Sequence, residues 1–136
     1  MSHLAGKFAG IVRVAVSPSD EEDLKKALGS LSGLKVAVES SAAPTASGRR
    51  RLKLALIGHD RIGIVREVTQ VLARHGVNVE ELATHTSSAP MSAEILFHAN
   101  AELSAAADLD TRILAADIER LSNDLMVDIS VAETIA

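Results

Sequence analysis

The sequence predicts an α+β fold, in which an antiparallel sheet is covered by helices on one face. Short runs with an apolar residue at every second position indicate half-buried strands. They alternate with longer runs whose apolar residues recur at helical spacing. A hydrophobic content of 47% and a charged content of 24% are typical of a globular chain of this kind.

The first part of the chain predicts a strand, a helix and a second strand. Residues 7–16, KFAGIVRVAV, are rich in β-branched side chains and predict a strand. An acidic stretch then favours the start of a helix over about 20–32, which Gly33 ends. Residues 34–38, LKVAV, alternate and predict a strand. The small, polar and turn-rich segment 40–50 predicts a linker.

The second part, residues 51–136, predicts a complete domain. Its elements are a strand at 51–58, a helix at about 61–75, strands at 77–88 and 92–103, a helix at about 107–121 and a strand at 125–133. This βαββαβ order, with two crossover helices and a central hairpin, predicts a ferredoxin-like sandwich whose strands are ordered 4-1-3-2. The side chains predicted to face its core include Leu52, Leu54, Leu56, Ile64, Val65, Val68, Val71, Leu72, Ile95, Phe97, Ala99, Ile113, Leu114 and Ile118.

The two parts of the chain also match each other. Residues 7–16 align with residues 91–100, MSAEILFHAN, and the apolar positions of the following helix and strand align as well. We therefore interpret residues 1–39 as the last three elements of a second copy, a partial βαβ repeat without its first strand and helix. Because that strand is central in the sheet, its loss would leave its neighbours unpaired. We expect that the product begins upstream of Met1, that another subunit fills the gap or that the sheet is rearranged.

Composition argues against several classes of function. The chain has no cysteine, so it has no disulfide, thiolate zinc site or cysteine nucleophile. Phe8 and Phe97 are its only aromatic residues and its net charge is −4, which argues against direct nucleic-acid binding. No apolar run approaches the roughly 18 residues that span a bilayer. We expect a cytoplasmic protein that has no membrane contact and needs no cofactor.

The segment GHDRIGIV, residues 58–65, joins a predicted strand to a predicted helix. Asp60 lies at the helix start, where its carboxylate is expected to cap the N–H of Gly63 or Arg61. Gly63 allows close backbone approach, and free N–H groups at this helix end favour a carboxylate. Asp60 also suits an ammonium group, so the segment fits an amino acid, which carries both charges. It is not a phosphate loop, because it lacks the Lys-Ser/Thr pair.

The histidines form no recognisable catalytic or metal site in the sequence. His59 and Asp60 are adjacent, and adjacent side chains rarely point together. His85 and His98 lie on the predicted central hairpin, where they are expected to approach each other. They lack the nearby acidic pattern that is typical of a metal site. The sequence therefore predicts neither catalytic nor metal-binding residues.

Residues 58–82, GHDRIGIVREVTQVLARHGVNVEEL, resemble an ACT domain, a small-molecule-sensing regulatory module. The family pattern is an acidic or amide residue, Arg, Pro and Gly before a helix, and then Gly, an apolar residue, Asn and an apolar residue. The matching residues are Asp60, Arg61, Ile62 and Gly63, and then Gly76, Val77, Asn78 and Val79. The segments SSAPMSAEILFHANAEL and LAGKFAGIVRVAV further resemble the tandem ACT proteins related to the glycine cleavage system transcriptional repressor.

The chain departs from the family pattern in three places. Ile62 replaces the usual Pro, and Asp60 stands where amide-bearing members have Asn. The second departure changes which groups of a ligand the loop holds. The first repeat lacks its own ligand loop, so each chain has at most one.

The resemblance implies a non-enzymatic regulatory module that binds a small amino acid of the glycine or serine class. It also implies that the module controls a protein partner and takes part in transcriptional regulation. ACT sites usually lie at an interface, between the loop of one copy and the strand asparagine of a neighbour, which implies a homodimer. The ligand-binding residues that the resemblance implies are Asp60, Arg61, Gly63, Ile64, Val77 and Asn78.

Other interpretations stay open. Asp60 as a helix cap, Asn78 as a turn residue at the entry to a strand and Arg61 paired with Glu67 are purely structural roles. As a whole, the chain is alternatively a ligand-free interaction module that dimerises through its sheet. A third interpretation is an acylphosphatase-like enzyme, which Arg61 and Asn78 imitate only loosely, because the loop lacks the necessary glycine density.

Overall fold

The computed structural model describes residues 1–42 and 48–132, and the chain divides into two compact units, Met1–Pro44 and Thr45–Ala136. The predicted linker at 40–50 lies partly outside the described residues, and its end belongs to a strand that begins at Arg49. No helix in the described part of the chain is both long enough and apolar enough to cross a membrane.

The N-terminal unit contains a short hairpin and one helix. Strand β1 (Ser2–Leu4) pairs antiparallel with strand β2 (Lys7–Ala9) across a tight turn. Helix α1 (Glu21–Gly29) lies within the predicted range, and acidic side chains fill its first turn. Negative charge at that end interacts favourably with the helix dipole, which explains where the helix starts.

Two strand predictions in this unit are wrong. Of the predicted strand at 7–16, only Lys7–Ala9 is in a strand, and residues 34–38 form none. A strand is stabilised by the neighbour with which it pairs, and the described residues provide no such neighbour for these segments. No side chain of residues 1–42 is buried. That residues 1–39 are a partial repeat stays a prediction.

The C-terminal unit has the predicted α+β fold with βαββαβ order. Its sheet is antiparallel, with the order β4-β5-β3-β6, which is the predicted 4-1-3-2 order within this unit. Strand β3 therefore lies between β5 and β6, and β4 and β6 are the edges. The elements are β3 (Arg49–His59), α2 (Ile64–Arg74), β4 (Asn78–Ser88), β5 (Ile95–Ala106), α3 (Thr111–Glu119) and β6 (Met126–Val131).

One hydrophobic core joins the two helices of this unit to one face of its sheet. The alternating leucines of β3 are almost completely buried, as the period-two pattern predicts. Aliphatic side chains supply nearly all of the core, because Phe97 is its one aromatic residue among the described positions. Its most completely buried large side chains are Leu52, Leu56, Leu103, Leu114, Ile118 and Val71.

Three side chains that were predicted to face the core are substantially exposed. Val65 and Ile113 are 39% and 56% exposed, although each is next to a buried helical residue, Ile64 and Leu114 respectively. Successive residues are rotated by about 100° around a helix, so a residue next to a buried one is turned partly outward. Ile95 is 54% exposed because it begins β5 at the end of the sheet.

Truncation of α3 tests this packing. We expect Leu114→Ala to lower the free energy of unfolding by about 2–5 kcal/mol, because it leaves a cavity where the side chain is fully buried. The matched control is Ile113→Ala, for which a loss below about 1 kcal/mol is expected. Urea denaturation followed by circular dichroism measures both, and equal losses would contradict the orientation of α3.

Candidate functional site

The connection between β3 and α2, residues 60–63, is the loop that the sequence analysis singled out. The N–H of Asp60 donates to the carbonyl of Ile95 on β5 at 2.9 Å, so Asp60 is still held by the sheet. The chain then turns into α2. Gly63 has a φ of 87°, a left-handed conformation that glycine adopts without strain.

Helix α2 begins without a side-chain cap. Its N-cap residue is Gly63, which has no side-chain oxygen. The predicted capping role of Asp60 is wrong, because the backbone of Asp60 is tied to β5 ahead of the turn. The first N–H groups of α2 thus lack the usual side-chain acceptor and lie at the positive end of the helix dipole. Such a helix end favours a carboxylate or another anion.

Arg61 forms an ion pair with the first turn of α2. Its Nη2 atom lies 2.5 Å from Oε2 of Glu67. This hydrogen bond lowers the pKa of Glu67 and raises the pKa of Arg61. The structural role that the sequence analysis left open for Arg61 is therefore confirmed. A ligand carboxylate has to compete with Glu67 for the guanidinium group.

Two of the predicted ligand-binding residues have their side chains in the core. Ile64 and Val77 are 3% and 5% exposed. A ligand at this surface would therefore meet their backbone atoms rather than their side chains. By contrast, Ile62, which replaces the proline of the family pattern, is fully exposed on the loop.

Asn78 lies at the opposite end of the sheet from the loop. It begins β4 and is paired with Ser104, whereas Ser88 at the other end of β4 is paired with Ile95 beside the loop. A single copy of the chain therefore does not bring Asn78 and Asp60 together. Asn78 is exposed, and β4 is an edge strand.

The sequence did not predict a cluster of charged side chains around His59. Its Nε2 atom lies 3.0 Å from Oε2 of Glu94, and its Nδ1 atom lies 3.3 Å from Oδ2 of Asp124. The backbone N–H of His59 also donates to Asp124, at 2.6 Å. The sequence directed attention to the adjacent Asp60 instead, because the true partners are distant in sequence and only the sheet topology brings them together.

Comparison with known proteins identifies the family of this unit. The family model for the ACT domain matches residues 54–118, which extend from β3 through the loop to α3. The C-terminal unit is an ACT domain. No curated protein sequence matches the chain.

Several solved structures are similar to parts of this chain. An unknown protein from Galdieria sulphuraria is 27% identical with a TM-score of 0.57, and the match covers 68% of this chain and 55% of that one. A formyltetrahydrofolate deformylase from Pseudomonas syringae is 26% identical with a TM-score of 0.49, covering 63% of this chain and 28% of that one. The ACT domain of GTP pyrophosphokinase from Chlorobium tepidum is 14% identical with a TM-score of 0.45, covering 60% and 99%. The chain thus spans about half of the first protein.

Carboxylates dominate the side-chain charge around the loop of the ACT domain. The Ser122 hydroxyl and the His59 N–H donate to Asp124 and hold the pKa of that carboxyl below its usual range. Asp60 and Glu94 are exposed beside it. These side chains favour a cationic group of a ligand, whereas the start of α2 favours an anionic one.

The two histidines of the central hairpin meet, as the sequence predicts. The rings of His85 and His98 stack with centroids 4.4 Å apart and planes 7° apart. Nε2 of His98 lies 2.7 Å from the hydroxyl of Ser87. In the described part of the chain, no three metal-ligating side chains form a group. This pair is therefore a cross-strand contact of the ACT domain.

An apolar groove lies between α2 and the edge strand β4. Val65 on α2 is 39% exposed, and Val79 and Leu82 on β4 are 39% and 45% exposed. The groove thus leaves aliphatic side chains open beside a strand edge that pairs with no described residue. Such an edge is suited to pairing with another chain.

Substitutions at Gly63 test the geometry of the loop. We expect Gly63→Ala to lower the free energy of unfolding by about 1–2 kcal/mol, because left-handed backbone is strained for an L side chain. No atom lies within 4 Å of the position that a Cβ would take, so a steric clash is not the cause. The matched variant is Gly63→Asn, which tolerates this conformation better and should lose less. Urea denaturation measures both, and equal losses would contradict the positive φ.

Proposed function

We propose that this protein is a non-enzymatic regulatory module whose ACT domain binds a small amino acid. ACT domains are regulatory, ligand-binding modules. The observation that carries the proposal is the uncapped start of α2 beside the exposed carboxylate of Asp60. The N–H groups are suited to the ligand carboxylate, and Asp60 to the ligand ammonium.

The other loop residues fit supporting roles. Gly63 presents its backbone N–H and leaves open space in which a ligand can approach the backbone. The N–H of Ile64 donates to the carbonyl of Arg61 at 3.5 Å, and it would exchange that acceptor for the ligand. Arg61 contributes to binding by turning from Glu67 to the ligand, which would leave Glu67 without its partner. This exchange limits the gain in affinity, because one ion pair replaces another.

The proposed site is completed by a second copy of the chain. Strand β4 is an edge, with Asn78 at one end and the loop near the other end. Antiparallel pairing of two β4 edges would place the partner's Asn78 and Val77 beside the end of the sheet that carries Asp60. Two equivalent sites would then form, as expected for a two-fold symmetric dimer.

The groove between α2 and β4 supports this arrangement. Val65, Val79 and Leu82 flank the edge that would pair, so the same contact would cover them. Burial of aliphatic surface and satisfaction of the free backbone groups of β4 would both stabilise the dimer.

The resemblance to repressors of the glycine cleavage system favours glycine or serine as the ligand, and a regulatory protein partner in the cytoplasm as the target. Residues 1–39 enter this proposal as a partial second repeat without a loop. The ACT domain of each copy would supply one such loop, so a dimer formed by two ACT domains would have two.

A ligand-free interaction module is the second candidate function. The exposed aliphatic groove and the open β4 edge favour it, since both are expected of a permanent protein contact. Size-exclusion chromatography with light scattering, with and without amino acids, separates the two functions. A dimer that no amino acid affects favours this second candidate.

Calorimetric titration with each amino acid tests the sensing function. We expect glycine or serine to bind, and Asp60→Ala or Asn78→Ala to abolish measurable heat. A mixture of the two variants should regain part of the binding, because each mixed dimer contains one site with both residues intact. The matched control is Asp128→Ala, which removes another exposed carboxylate, on β6.

Three results would contradict this proposal. Absence of heat and thermal shift with every amino acid would remove the sensing function. Normal binding by Asp60→Ala would remove the assigned role of the loop. Failure of the mixed variants to regain binding, while each still dimerises, would remove the shared site.

A further inference from the structure

His59 connects three separate segments at one end of the ACT domain. It ends β3, it contacts Glu94 in the connection between β4 and β5, and it contacts Asp124 in the connection between α3 and β6. The next residue is Asp60, the first residue of the loop. The residue that ends β3 thus lies directly before the proposed ligand site.

Both ring nitrogens of His59 face a carboxylate. A neutral imidazole has one N–H and one acceptor nitrogen, whereas an imidazolium has two N–H donors. An ionised carboxylate only accepts hydrogen bonds. The contacts of the ring with Glu94 and Asp124 are therefore both ion pairs only when His59 is protonated.

The contact with Asp124 is held independently of the imidazole ring. The backbone N–H of His59 donates to Asp124 at 2.6 Å, and the Ser122 hydroxyl donates to its other oxygen. These donors keep the pKa of Asp124 below its usual range, so it stays ionised where imidazole groups titrate. A Cβ at Gly58 would lie 2.5 Å from Cδ2 of Leu125, which shows how closely the two segments approach.

We propose that His59 is a positioning residue for the loop: as an imidazolium it clamps the end of β3 to Glu94 and Asp124, and so links amino-acid binding to a proton. This inference rests on the proposed function. The clamp is complete when the ring is protonated, and it loses the attraction to both carboxylates when the ring is neutral. Ligand affinity is therefore higher when the ring is protonated than when it is neutral.

The charges that face the ring determine how much its protonation changes ligand affinity. They are Glu94 and Asp124, from the neighbouring connections. Asp60 is adjacent in the chain, and Arg61 interacts electrostatically with Asp124. The side chains of His59 and Glu94 are 51% and 61% exposed, so solvent screens their pairing. We expect an affinity change of about two- to fivefold.

Nuclear magnetic resonance of the full chain without ligand tests the clamp directly. The backbone amides of residues 59–64 should titrate with the midpoint that the His59 ring itself shows. Glu94→Gln should reduce the size of the amide shifts, because it removes one of the two carboxylates that contact the ring. His59→Gln should abolish the titration of the amides, and calorimetry should show an affinity loss of the stated size.

The matched control is His75→Gln. Nε2 of His75 lies 2.8 Å from Oδ2 of Asp117, so it is also a histidine paired with a carboxylate, but at the other end of α2. It should change neither the loop amides nor ligand affinity. Circular dichroism of each variant verifies folding, and Glu94→Gln tests the clamp on its own if His59→Gln unfolds.

The outcomes separate this inference from the proposed function. Loop amides that do not follow the His59 ring, or that still titrate equally in His59→Gln, would overturn the clamp even if an amino acid binds. Loop amides that follow the ring in a protein that binds no amino acid would support the clamp and overturn the proposed function. A ligand affinity that is equal on both sides of the midpoint would overturn the link to binding.

Discussion

The pairing of β3 with both β5 and β6 is the constraint on which the C-terminal unit depends. It places Leu52, Leu54 and Leu56 at the centre of the core, where each is almost completely buried. It also fixes the start of the loop, because the backbone of Asp60 remains bonded to β5. A loop that begins at a rigid strand end and leads directly into a buried helix has few conformations, which favours a preorganised site.

The N-terminal unit illustrates the same constraint by contrast. Its segments at 10–16 and 34–38 have the β-branched and alternating composition of strands, yet neither is in a strand. A strand forms where a neighbour accepts its hydrogen bonds, and composition does not supply that neighbour. Within the described residues of this unit, only the β1–β2 hairpin pairs.

The C-terminal fold was predictable because its signals agree with one another. Period-two leucines, helical spacing and a central hairpin all indicate the same sheet, and the family pattern indicates the same loop. The capping of α2 was not predictable in this way. Whether Asp60 or Gly63 is the N-cap residue depends on the position at which the chain leaves the sheet and turns into α2. The His59 cluster was less predictable still, because Glu94 and Asp124 approach it only after the sheet has formed. Local periodicity predicts elements, whereas side-chain pairs between distant segments depend on register.

The separation of Asp60 and Asn78 within one copy has a consequence for regulation. If both residues contact one ligand, then the ligand binds the dimer and not the monomer. By mass action, each occupied site stabilises the dimer by RT ln(1 + [L]/Kd), and by reciprocity dimerisation favours ligand binding. The domain then needs no moving lid, since assembly itself is the response. An exposed groove and an open strand edge in the single chain are what this mechanism requires, because both must be available until a second copy covers them.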